Sequence, residues 1–178
     1  MCLFTYDSNP RYSAKPITVY KVVNLEYRYG VIPERELSAY FHPDFKYTLG
    51  KEFTEQDFDM GPPLPEKIVT LVMISTSAHK IDKGFHSFQT LRRACEEVKK
   101  CKQANAWRTD RPNYVVLKCV IPANTPYYEG VQPAEILNNS SYEYCSKSII
   151  PIAWTEDTEW QKEEEWESKC ELEWITTL

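Results

Sequence analysis

Long apolar runs are missing from this chain. The longest, around residues 68–76 and 114–121, are far shorter than the roughly 20 residues a membrane-crossing helix needs. The opening "MCLFTYDSNP" has no basic region leading into an apolar one, so no secretory leader is read either. A cytoplasmic protein without membrane contact is expected. Metal and redox spacings are lacking too. The six cysteines (Cys2, Cys95, Cys101, Cys119, Cys145 and Cys170) are scattered with no C-x-x-C pair, and His42, His79 and His86 form no close histidine pair. Zinc needs clustered ligands, so no metal is expected, and the cysteines read as buried positions on helices and strands. No Walker-type GxxxxGK loop, nucleophile elbow, dinucleotide fingerprint or internal repeat is found, and no cofactor is implied.

What remains is ordinary globular composition. At 178 residues, 42% hydrophobic and 13% aromatic, the chain has the size of one domain and enough apolar mass for a core. A single domain over residues 1–178 is expected, with the acidic segment 156–178 packed as a terminal strand. The net charge of -5 argues against direct nucleic-acid binding, but it conceals a segregation. Residues 78–102 carry a net +4, whereas residues 156–173 carry a net -7. Such blocks are commonly solvated faces; the functional readings are a basic site for an anionic small molecule and an acidic surface for a basic partner.

Local patterns give the elements. "PITVYKVVN" (16–24), "KIVTLVMIST" (67–76) and "NYVVLKCVIP" (113–122) read as strands, and "YEYCSKSIIPIAW" (142–154) as another, broken at Pro151. Pro33 at a first helical turn predicts a short helix over 33–41, and residues 42–65 read mostly as loop with a short strand near "YTLGKEF". Phe88, Leu91, Cys95 and Val98 share one face of a helix running to about residue 103, with Ser87 as its N-cap. In the tail, the even spacing of Cys170, Leu172 and Trp174 favours a strand over 168–176, a route to a homodimer through its exposed edge. The sum is an α+β fold: a mixed, mostly antiparallel sheet with one long helix and short helices packed on it.

The candidate chemistry centres on His86, in "KGFHSFQTLRRA" (83–94). Gly84 can take the positive φ of a sharp turn, and His86 then stands before the free amides of a helix start, which attract phosphate or carboxylate. Lys83, Ser87 and Arg92 would reinforce an anion site, and Tyr127 and Tyr128, read as part of a loop, could stack a base. The bland alternative is a histidine that only hydrogen-bonds within a turn.

Two resemblances extend this reading. Arg28, the Ser-Thr-Ser at 75–77 and the Glu-x-Glu at 171–173 resemble the ordered elements of ADP-ribosyltransferases. That resemblance implies that Arg28 and Ser75 hold NAD and Glu173 stabilises a ribose cation. Over residues 18–152, "VYKVV", "YTLGKEF", "GFHSF", "VVLKCVIPANTPYYEG" and "EYCSKSIIPI" resemble a group of small phage and bacterial proteins. This implies a phage or mobile-element origin, where compact proteins interfere with host defence by binding a nucleotide signal or a defence protein. The leading expectation is a binding protein for an anionic, nucleotide-derived small molecule at His86. The alternatives are an NAD-dependent ADP-ribosyltransferase-like enzyme and a protein–protein inhibitor that offers its acidic tail region to a host defence protein or a nucleic-acid-binding protein.

Overall fold

Period-two alternation and β-branched runs dominate the chain, and they resolve into strands. The computed structural model describes residues 3–7, 9–28, 34–40, 42–58, 65–71, 76–81, 83–107, 112–131, 143–156 and 176. Among these the order is β1 (Leu3–Thr5), β2 (Ile17–Arg28), β3 (Glu34–Ala39), β4 (His42–Tyr47), β5 (Phe53–Thr54), a 3-10 turn (Glu55–Phe58), β6 (Pro65–Leu71), β7 (Thr76–Ile81) and β8 (Phe85–Phe88). There follow α1 (Leu91–Ala104), β9 (Asn113–Ile121), β10 (Tyr127–Gly130), β11 (Glu143–Ser146) and β12 (Ser148–Thr155). The fold is α+β, mostly antiparallel, with one long helix, as the sequence predicts. No helix among the described residues is long and apolar enough to cross a membrane. The chain divides into two compact units, with boundaries inside β2, β9 and β12.

The first unit comprises residues 1–19, 52–89 and 120–150. One small antiparallel sheet has the order β1-β7-β6, and a second antiparallel run has the order β10-β11-β8. Leu3 and Ile81 from the small sheet meet Tyr128 and Cys145 from the other run in one apolar cluster. The two sheets are also joined at their rims, where Phe4 and Val131 exchange backbone N–H···O bonds of 2.9 Å in both directions. Gly130 permits that approach: a Cβ there would lie 2.2 Å from the Phe4 carbonyl oxygen. The expected loop after β9 therefore contains a strand. Tyr127 and Tyr128 open β10, because its residues pair in full with Glu143–Ser146.

The second unit comprises residues 20–51, 90–119 and 151–178. Here β3 pairs antiparallel with both β2 and β4, and β9 lies between β2 and β12 in the sheet order. The helix expected over 33–41 is strand β3 instead. Leu37, Ser38 and Ala39 are all buried, and pairing with β2 runs unbroken from Val23↔Ala39 to Arg28↔Glu34. That ladder outweighs the local helix-start signal of Pro33, which itself lies outside the described residues. The stretch expected to be loop similarly contains β4, where Tyr47 is buried opposite Leu37.

Pro151 does not break its strand; the break falls at Lys147, between β11 and β12. The Pro151 carbonyl accepts the Gly50 N–H at 2.7 Å, so the ring's missing donor faces a turn rather than a ladder. Helix α1 begins at Leu91 with Thr90 as cap, its hydroxyl accepting from the Arg93 N–H at 3.4 Å. Ala94, Cys95, Val98 and Cys101 form its buried face. Cys95, Cys101, Cys119 and Cys145 are all buried thiols outside any disulfide, and burial pushes the Cys119 thiol up to about 12. The terminal strand expected over 168–176 lies outside the described residues except at Thr176.

Two glycines separate steric from conformational constraint. Gly50 has φ +77° with nothing within 4 Å of a built Cβ, so Gly50→Ala should cost about 1 kcal/mol from backbone strain alone. Gly130→Ala drives a methyl into backbone and should cost about 3 kcal/mol, near the top of the overpacking range. Urea midpoints at unchanged slope measure both; equal costs would refute the Phe4 contact as the constraint.

Candidate functional site

The pairing of β10, β11 and β8 decides which site residues can meet. Register places Tyr128 opposite Cys145 and Cys145 opposite His86, so these three side chains form one row on one face. Tyr127, Ser146 and Phe85 form a row on the opposite face, beside the row of Glu129, Tyr144 and Ser87. The sequence reading grouped Tyr127 with Tyr128 and His86 with Ser87. Alternation separates both pairs.

His86 lies in the middle of a strand, not at a helix start. Its Nε2 is 3.6 Å from Cys145 Sγ, and the same sulfur donates to the Lys83 carbonyl at 2.9 Å. A thiol has one proton, so when it points at the carbonyl the ring contact is best met by an Nε2–H directed at sulfur. The pair therefore clamps the Gly84 turn, where φ is +99°, onto β11. Tyr128, buried beside them, has its phenol held above the usual range by burial and then by Cys145 and Tyr12.

The remaining expected ligands are dispersed. Ser87 is buried and caps no helix; its hydroxyl donates to the Tyr144 carbonyl at 3.5 Å. Lys83 is exposed and lends its backbone carbonyl to Cys145. Arg92 stands in the first turn of α1 and is bonded to Glu96 at 3.1 Å, while Arg93 reaches the same carboxylate at 2.7 Å. Burial works to raise the Glu96 carboxyl, but the hydrogen bonds from Arg93 and Arg92 outweigh it and hold it below the usual range. Much of the positive charge expected at the helix start is thus met within the helix. Arg28 ends β2, while Ser75 and Glu173 lie outside the described residues. No group of three or more His, Cys, Asp or Glu among the described residues could hold a metal.

A different cluster assembles on the Tyr127 face. The rings of Tyr127 and Tyr144 meet edge to face, 5.3 Å apart at 89°, and Gln89 Nε2 donates to Tyr144 Oη at 3.2 Å. Arg11 is tied to Tyr127 by two backbone hydrogen bonds, of 2.7 and 3.0 Å. Its guanidinium takes Asp7 Oδ2 through Nε at 3.2 Å and Nη2 at 2.8 Å, and Glu129 through Nη1. Burial raises the Tyr144 phenol, reinforced by Glu129 and Tyr127, so it stays protonated. The hydrogen bond to Asp7 keeps Arg11 firmly charged.

Sequence reasoning missed Arg11, Gln89, Glu129 and Tyr144. Alternation along "YEYCS" could have set Tyr144 and Cys145 on opposite faces, but nothing local couples Arg11 to a strand 116 residues away. Comparison with family models, with curated proteins and with solved structures finds no match to this chain.

The clamp predicts an unreactive thiol. In the native protein, peptide mapping should find Cys145 alkylated roughly 100-fold more slowly than in urea, since labelling requires local opening. Fast native labelling that slows on His86→Ala would identify a His86-activated nucleophile instead.

Proposed function

We propose that this chain is a binding protein that captures an anionic, nucleotide-derived small molecule and returns it unchanged, and that capture occurs on the Tyr127 face rather than at the helix start. The observation that carries this reading is the meeting of Tyr127 and Tyr144, edge to face at 5.3 Å, with the Gln89 amide and the Arg11 guanidinium on the same strands and their margin. Whichever tyrosine supplies the edge, at least one face of Tyr127 is not taken up by Tyr144. Tyr127 is also the more exposed of the two, so it is the ring that can stack a base. Gln89 offers an amide for a base edge, and Arg11 a planar donor for phosphate.

Charge decides which half of the ligand dominates. Arg11 contributes +1 against two carboxylates, Asp7 and Glu129, so the cluster is net negative and a lone phosphate gains little there. Stacking contributes about 1–3 kcal/mol per base and is indifferent to that balance. The base should therefore carry most of the affinity. A phage or mobile-element setting, implied by the resemblance above, would make such a protein a sponge for a host-defence signal.

Thermal-shift screening followed by calorimetry against NAD, ADP-ribose, mononucleotides and cyclic nucleotides tests this. At least one should bind, Tyr127→Ala should weaken it by about 5- to 150-fold, and mass spectrometry should recover the ligand intact. Binding indifferent to Tyr127→Ala would refute the site. Release of nicotinamide from NAD, lost on Glu173→Gln, would replace this reading with the ADP-ribosyltransferase-like one.

A further inference from the structure

We infer that Glu129 is a built-in competitor for the phosphate of the ligand: it occupies Arg11 in the empty site and is displaced when a phosphorylated ligand binds. The inference rests on the binding reading above and specifies how that site discriminates.

The two carboxylates on Arg11 are not equivalent. Asp7 lies four residues from Arg11 in the same segment and takes Nε and Nη2 with one oxygen, so it orients the guanidinium wherever that segment goes. Glu129 belongs to β10, where its backbone is paired with Tyr144, and it takes Nη1 from the other side. Its side chain is 18% exposed against 53% for Asp7, so it is the less solvated partner.

The Glu129 bond is also not needed to hold the segment in place. The backbone bridge between Arg11 and Tyr127, with hydrogen bonds of 2.7 and 3.0 Å, anchors it independently, as does the Phe4–Val131 bridge. Nη1 can exchange partners while the backbone stays where it is.

A phosphate monoester suits that exchange, because its three oxygens match the guanidinium fork and it carries more charge than a carboxylate. It must, however, approach Arg11 past Glu129, and the two like charges repel at short range. The competition penalises the phosphorylated ligand and leaves the unphosphorylated nucleoside, which makes no demand on Arg11, untouched.

Glu129→Gln keeps the shape and removes the charge. Calorimetry with adenosine against adenosine 5′-monophosphate, and with guanosine against guanosine 5′-monophosphate, should show the monophosphate gaining about fivefold in the variant while the nucleoside changes less than about twofold. Glu129→Asp, which retains the charge, should keep the wild-type ratio. Nucleoside binding with an unchanged ratio in Glu129→Gln would overturn the competitor and leave the binding reading standing. Absence of binding by all four probes to wild type and variants of normal melting temperature would overturn the competitor, and the wider screen with NAD, ADP-ribose and cyclic nucleotides then decides the binding reading. Should Glu129→Gln melt early, Glu129→Ser permits the same comparison.

Discussion

The register of three short strands controls everything proposed for this protein. Tyr128, Cys145 and His86 stand in one row because β10, β11 and β8 pair without a bulge. Strand side chains alternate with period two, so a slip of one residue would exchange the two faces. Tyr127 and Glu129 would then enter the cluster that Leu3 and Ile81 share with Tyr128 and Cys145, and the polar ensemble around Arg11 would be dissolved. The apolar cluster on one face therefore specifies the register, and the register brings together the candidate site on the other. The Lys83 carbonyl, the Cys145 thiol and the His86 ring reinforce the same alignment from the turn that precedes β8.

How much of this could be read from the chain follows from where each signal resides. Strands β2 and β9 were legible because their β-branched and aromatic content is dense over nine residues or more. Helix α1 was legible through its apolar stripe, although its start was placed too early. Ser87 has the chemistry of a cap, but pairing of β8 with β11 through Phe88 holds Ser87 in a strand, and the next competent hydroxyl, Thr90, takes the role. Strand β3 was misread for the opposite reason: a proline at a first helical turn is a strong local cue, while the strand that contradicts it is only six residues long and is set by pairing with β2 and β4. In each miss, a cross-strand ladder overrode a cue from within the segment.

The charge blocks give the same lesson for function. A net +4 over residues 78–102 is a statement about sequence, and chain order does not make a patch. Arg92 and Arg93 converge on Glu96, and Lys100 meets Glu97 at 3.4 Å, so these three cations of α1 find acids one turn away. The guanidinium that stands beside the tyrosine pair is Arg11, from a segment the charge map left unremarked. Of the acidic block, the described part is Glu156, which accepts a hydrogen bond from Tyr27 at 3.4 Å.

A cationic patch recognises phosphate by attraction and would accept any anion of similar size. In the proposed reading Arg11, held between Asp7 and Glu129, would work differently, because phosphate would have to replace an anion already in position and the gain would be only the difference between the two. Selectivity then passes to whatever the phosphate is attached to. That suits a protein which must hold one nucleotide-derived signal amid a large excess of unrelated phosphates. For such a protein, weak generic attraction combined with a stacking contact is more useful than strong attraction alone. In that reading the tyrosine pair would supply the favourable element and Glu129 the opposing one, and the same two strands, β10 and β11, position both.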